Sequence, residues 1–112
     1  MFSKKWQPAS ATIVLVHIVR MSSDGLTPTR AWAADVREAD GTVRRARIGE
    51  PRWVIDFWPP DAGAVVAVLV HRRSRSVRFD MRDPQLSAKG QKRLAAEAFA
   101  AALRSDAGRS FR

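Results

Sequence analysis

Two short stretches of this sequence hold most of its chemical potential. Residues 44–52 carry Arg44, Arg45, Arg47 and Arg52 against Glu50, and residues 72–82 carry Arg72, Arg73, Arg75, Arg78 and Arg82 against Asp80. Four less one and five less one leave +3 and +4, so these stretches supply +7 of the net +9 given by 20 Lys+Arg and 11 Asp+Glu. A guanidinium offers a planar fork of donors that matches a phosphate with paired hydrogen bonds. Arg44, Arg45, Arg47, Arg52, Arg72, Arg73, Arg75 and Arg78 are therefore the candidate phosphate contacts. Aromatic rings are interleaved with them, as in proteins that stack the bases of a single strand. Trp58 alternates with Asp56 and Arg52, and Trp32 shares a strand face with Arg30. These two are the candidate stacking residues, whereas Trp53, Phe57 and Phe79 read as core.

Catalytic patterns are sparse. The two histidines, His17 and His71, sit in or at the end of apolar strands, where a hydrogen-bonded core or edge histidine is the ordinary reading. No histidine spacing suits a metal, and the six glycines are too scattered for a phosphate loop. Cys is absent, which removes thiolate ligands, disulfides and Cys nucleophiles. No catalytic residue, metal or cofactor is expected. The order Arg-His-Gly of the histidine phosphatases is not met at His71, which Val70 precedes and Arg72 follows. The run Arg52-Trp53-Val54-Ile55-Asp56-Phe57-Trp58-Pro59-Pro60 is similar to the opening strand of MazF-like endoribonuclease toxins, over less than a tenth of the chain. That resemblance implies RNA cleavage as a minor alternative; small basic proteins can cleave RNA with Arg and His alone, guanidinium groups stabilising the pentavalent phosphate, and His71, Arg72, Arg73 and Arg75 are where such a site would lie.

Several elements must position these residues. A chain of 112 residues with 46% hydrophobic content builds one modest core. Residues 1–10 read as a flexible arm. Ala11–Arg20 is β-branched and apolar at nearly every position, the pattern of a central strand buried on both faces. Arg30–Arg37 and Thr42–Ile48 flank Glu38-Ala39-Asp40-Gly41, a hairpin signal, with Arg30, Trp32, Ala34 and Val36 on one face. Arg52–Trp58 reads as a fourth strand, Ala64–His71 as a fifth and Ser76–Arg82 as a sixth. Ser87 can cap a helix over Ala88–Arg104, whose Leu94, Ala95, Ala98, Phe99, Ala102 and Leu103 form an apolar stripe. Residues 105–112 read as a frayed tail.

Strands first and a helix last imply a single α+β domain over 11–104. Its sheet is mostly antiparallel, with five or six strands and the helix packed on one face. The longest apolar run, Ala11–Val19, is too short to span a bilayer, and no cleavage site follows the basic start at Lys4-Lys5. A cytoplasmic location and no membrane partner are expected. The function expected is non-enzymatic binding of RNA or single-stranded DNA. The alternative is a basic adaptor, inhibitor or subunit that docks on an acidic protein, and a homodimer is allowed.

Overall fold

The alternation of apolar residues along the chain is resolved by a closed five-stranded barrel. The computed structural model describes residues 5–52 and 54–107. Their strands are β1 (Trp6–Met21), β2 (Pro28–Arg37), β3 (Val43–Gly49), β4 (Val65–His71) and β5 (Val77–Phe79). A 3-10 turn, Pro84–Leu86, leads into one helix, α1 (Ala88–Ala107). The order around the barrel is β1-β2-β3-β5-β4, with β1 closing on β4. All neighbours are antiparallel except β3 and β5, which meet in parallel at Ile48 and Val77. The chain is thus a single α+β domain with a mostly antiparallel sheet.

Period-two patterning explains which side of each strand faces inward. Trp32, Ala34 and Val36 of β2, Ile48 of β3, Val66, Val68 and Val70 of β4, and Val77 and Phe79 of β5 form the core with Ala11 and Ile13. Leu86, fully buried, closes one end of the barrel. The predicted hairpin is present. Gly41 takes a φ of 89°, and Glu38 and Thr42 close the turn with a backbone bond of 2.9 Å.

Five expectations need correction. β1 starts at Trp6, inside the segment expected to be a flexible arm, because residues 6–12 pair with β4 from His71 to Val65. Residues 52–58 do not form a strand among the described positions; Trp53 lies outside them. This segment is the crossover that carries the chain from the end of β3 across the barrel to β4. Ile55 is fully exposed there, and only Phe57 makes a β-bridge, to Ser87. Pro51, Pro59 and Pro60 lack the donors that a ladder needs. The last strand is shorter than Ser76–Arg82, since Asp83 N–H donates to Asp80 C=O at 3.0 Å and turns the chain after Phe79.

The helix is not packed on the sheet. Its first turns rest on the 3-10 turn, with Gly90 buried and Gln91 Nε2 donating to Gln85 C=O at 2.9 Å. Beyond that, Ala95, Ala98, Phe99, Ala102 and Leu103 are exposed. It also runs three residues beyond Arg104, into the segment expected to be frayed; residues 108–112 lie outside the described positions. No helix among the described residues is long and apolar enough to cross a membrane. The radius of gyration is 17.2 Å, against about 13 Å for a compact domain of 100 residues, which fits an outlying helix and strand arm.

Candidate nucleic-acid interface

The strand directions bring the two arginine-rich stretches to one end of the barrel. β3 and β5 are parallel, with Val77 at the start of β5 opposite Ile48 near the end of β3, so the β4–β5 turn (residues 72–76) lies back along β3 toward the β2–β3 turn (residues 38–42). The turns are locked through Glu38. Arg44 Nε donates to Glu38 Oε2 at 3.3 Å, and Arg75 Nη2 donates to the same oxygen. Arg44 Nη2 also donates to Arg75 C=O at 2.6 Å. Arg75 has a φ of 64°, a left-handed conformation that this pair of bonds holds in place. The Glu38 side chain is 13% exposed. Its hydrogen bond from Arg75, supported by Arg44 and opposed by burial, holds its carboxyl below the ordinary glutamate value.

A pH prediction follows from that lowered value. A carboxylate with a depressed native pKa stabilises the fold above its unfolded pKa and loses that contribution as pH falls through the native one. Glu38→Gln is therefore expected to lower the urea midpoint at neutral pH. The gap to the parent chain should close in acid below about 4.5, the ordinary value. A gap unchanged down to acid would show that Glu38 does not hold the turns through its charge.

His71 shapes the turn that presents Arg72 and Arg73. Its Nδ1 accepts N–H bonds from Arg73 and Ser74 at 3.2 Å each, and its backbone N–H donates to Ser76 C=O at 2.8 Å. The imidazole meets Trp6 edge-on at 4.9 Å between centroids. Arg78 lies over the same indole, its Cζ 4.0 Å from the ring centroid. Lys5 joins this end through its carbonyl, which accepts from Arg72 N–H at 2.7 Å. Arg52 and Arg78 line one cleft of about 560 Å³, where Gly49 leaves the wall between β3 and β5 low. Glu50 also lines this cleft, and its Oε1 accepts from Arg30 N–H at 2.8 Å.

The remaining candidates divide. Arg45 and Arg47 point outward from β3, beside a groove of about 450 Å³ floored by Ala31 and Ala33. Arg45 is spent on Asp35, with bonds of 2.5 and 3.2 Å. These bonds hold the Asp35 carboxyl below its ordinary range. Among the described residues Arg47, Arg52 and Arg73 face no carboxylate. Trp32 is not a stacking residue: it is 1% exposed, with Nε1 donating to Pro60 C=O at 3.0 Å. Trp58 is half exposed but lies at the other end of the barrel, its N–H bonded to Leu86 C=O at 2.9 Å. The 3-10 turn there is tied to the start of β4 by Gln85 Nε2 on Val65 C=O at 2.9 Å. Six strand steps, about 20 Å, separate Val65 from His71.

Trp6, Lys5 and Glu38 belong to this surface and were not singled out in the sequence. Lys5-Trp6 stands in a polar opening with Pro8, and only its pairing with β4 gives it a place. Among the described residues there is no group of three or more His, Cys, Asp or Glu side chains that could hold a metal. No family model matches the chain, and neither a curated protein nor a solved structure is found to resemble it.

Proposed function

We propose that the chain binds single-stranded nucleic acid, RNA or DNA, along the turn end and the adjoining wall of the barrel. The observation that carries this reading is the difference among its arginines. Arg44 and Arg75 share Glu38 and Arg45 is paired with Asp35, whereas, among the described residues, Arg47, Arg52 and Arg73 face no carboxylate, beside an Arg78 that lies over Trp6. In a chain of +9 these three are among the cations available to phosphates. A guanidinium plane lying on an indole is also a surface on which a splayed base can stack.

The architecture supports the same reading by analogy. Five-stranded Greek-key barrels of the OB type bind oligonucleotides on the face of strands 2 and 3 and on the loops joining strands 1–2 and 4–5. In this barrel the corresponding places are the outer wall with Arg45 and Arg47, and the turn with Arg72 and Arg73. His71 serves to order that turn, since its Nδ1 is committed to two backbone donors.

Fluorescence anisotropy with a labelled single-stranded oligonucleotide at two salt concentrations tests the proposal. Affinity should fall with salt by a log–log slope of about −0.7 per phosphate contact. Arg73→Ala should make the slope shallower by about that amount. Trp6→Ala should weaken binding by about 1–3 kcal/mol, the worth of one stacked base. Trp58→Ala should leave affinity unchanged. Absence of binding at low salt, or tight binding indifferent to salt, would overturn the reading and favour an acidic protein partner.

A further inference from the structure

The second half of β1 is written as an interior strand, yet it stands at an edge. From Ala11 to Val19 nearly every residue is apolar, the pattern of a strand covered on both faces and paired on both sides. β4 pairs with β1 only as far as Thr12, and the backbone bonds of Ile13 with Gly63 and Ala64 end the contact. Beyond Ile13, among the described residues, one edge of β1 has no neighbour. Its other edge continues against β2 as far as Met21 and Pro28.

The side chains tell the same story. Leu15 is 61% exposed, Ile18 53% and Met21 48%, with Val14 and Val19 also open to solvent. Five large apolar residues thus stand on an arm whose backbone donors and acceptors are unpaired along one side. Strand edges are normally protected by Lys, Pro or a covering segment, and Arg20 is the one charge on this stretch.

We propose that this edge is the interface of a homodimer, in which the β1 strands of two copies pair antiparallel and extend the sheet across a two-fold axis. A strand edge is complementary to its own copy, as a two-fold interface requires. The charge distribution selects the same place. Residues 1–43 hold five cations and four carboxylates, a balance of +1 in a chain of +9. On the arm itself Arg20 stands against Asp24, and Arg30 is paired with Glu50 at 3.7 Å. Two strongly basic molecules meet here without bringing their arginine-rich turns together. The dimer does not depend on the nucleic-acid reading, although Leu15 and Val19 also line the groove beside Arg45 and Arg47.

Sedimentation velocity after nuclease treatment, in salt high enough to dissociate nucleic acid, reads the result. The parent chain should sediment at twice 12.5 kDa and Ile18→Lys at the single mass, with an unchanged circular dichroism spectrum. Phe99→Lys, on the exposed stripe of α1, should remain dimeric. Amide exchange from Leu15 to Met21 should be slow in the dimer and speed up on dilution. A parent chain that is monomeric throughout its soluble range overturns the proposal. So does a dimer that survives Ile18→Lys, or one that dissociates with Phe99→Lys instead.

Discussion

Trp32→Ala is expected to cost about 3–5 kcal/mol, the range for truncating a buried tryptophan. Domains of this size have about 5–15 kcal/mol in total, so the variant should stand close to unfolding. Trp32 is 1% exposed and is the largest fully buried side chain in the core. Its ring meets Phe57 at 5.7 Å and Phe79 at 5.0 Å, both edge-on. Phe57 belongs to the crossover and Phe79 to β5, so the indole joins the irregular segment to the barrel wall. Its Nε1 satisfies the carbonyl of Pro60, itself buried. Trp32→Phe separates the two roles: it keeps most of the packing and leaves that carbonyl without its donor, at about 1–3 kcal/mol. Urea unfolding of both variants measures the difference. A loss below about 1 kcal/mol for Trp32→Ala would show that the crossover does not depend on this ring for its place.

The elements legible in the sequence are those whose signals are local. The β2–β3 hairpin carries its own turn chemistry in Asp40-Gly41, and Thr42 N–H bonds to Asp40 Oδ1 at 2.9 Å. Ser87 caps α1 through Gly90 N–H at 2.9 Å, and the apolar run of β4 needs no partner to be recognised. What the residues do not carry locally is pairing across long separations. Trp6 becomes strand because His71 lies opposite it, 65 positions away. Residues 52–58 alternate like a strand, but Pro51 and the Pro59-Pro60 pair bracket them and lack the donors that a ladder needs. The parallel contact of β3 with β5, which brings the β4–β5 turn toward the β2–β3 turn, has no trace in composition or period.

The candidate site was legible as charge and not as chemistry. A tally by segment finds +3 and +4, and the two stretches do meet, at Glu38. The same tally cannot see that Glu38, shared by Arg44 and Arg75, and Asp35, paired with Arg45, lie outside those stretches and offset part of their charge. The aromatic assignment failed for a related reason. Alternation placed Trp32 with Arg30, yet that face turns into the barrel. Arg30, at the end of β2, is only half-buried, whereas Trp32 lies at the centre. Trp6, on the outward face of β1 under Arg78, is the ring at the arginine-rich end of the barrel.

Gly90→Ala decides between two effects of opposite sign. Within a helix, Gly to Ala gains about 1 kcal/mol from backbone entropy. Here a Cβ on residue 90 would lie 2.0 Å from the carbonyl oxygen of Pro84 and 2.6 Å from its Cα. Those atoms are backbone, and their element is fastened on several sides. Leu86 is buried in the core, Asp83 Oδ1 accepts from Gln85 N–H at 3.0 Å, and Ala88 N–H bonds to Asp56 C=O at 2.9 Å. The 3-10 turn and the first turn of α1 therefore cannot separate without drawing Leu86 from the end of the barrel. Overpacking of this kind costs about 1–3 kcal/mol, and the clash is severe enough that it outweighs the propensity gain. Net destabilisation is expected, read as a lower urea midpoint. Gly49→Ala, where the added Cβ meets nothing within 4 Å, should stay within about 0.5 kcal/mol of the parent. A stabilised Gly90→Ala variant would mean that α1 leaves the barrel along a different path, with room between it and Pro84.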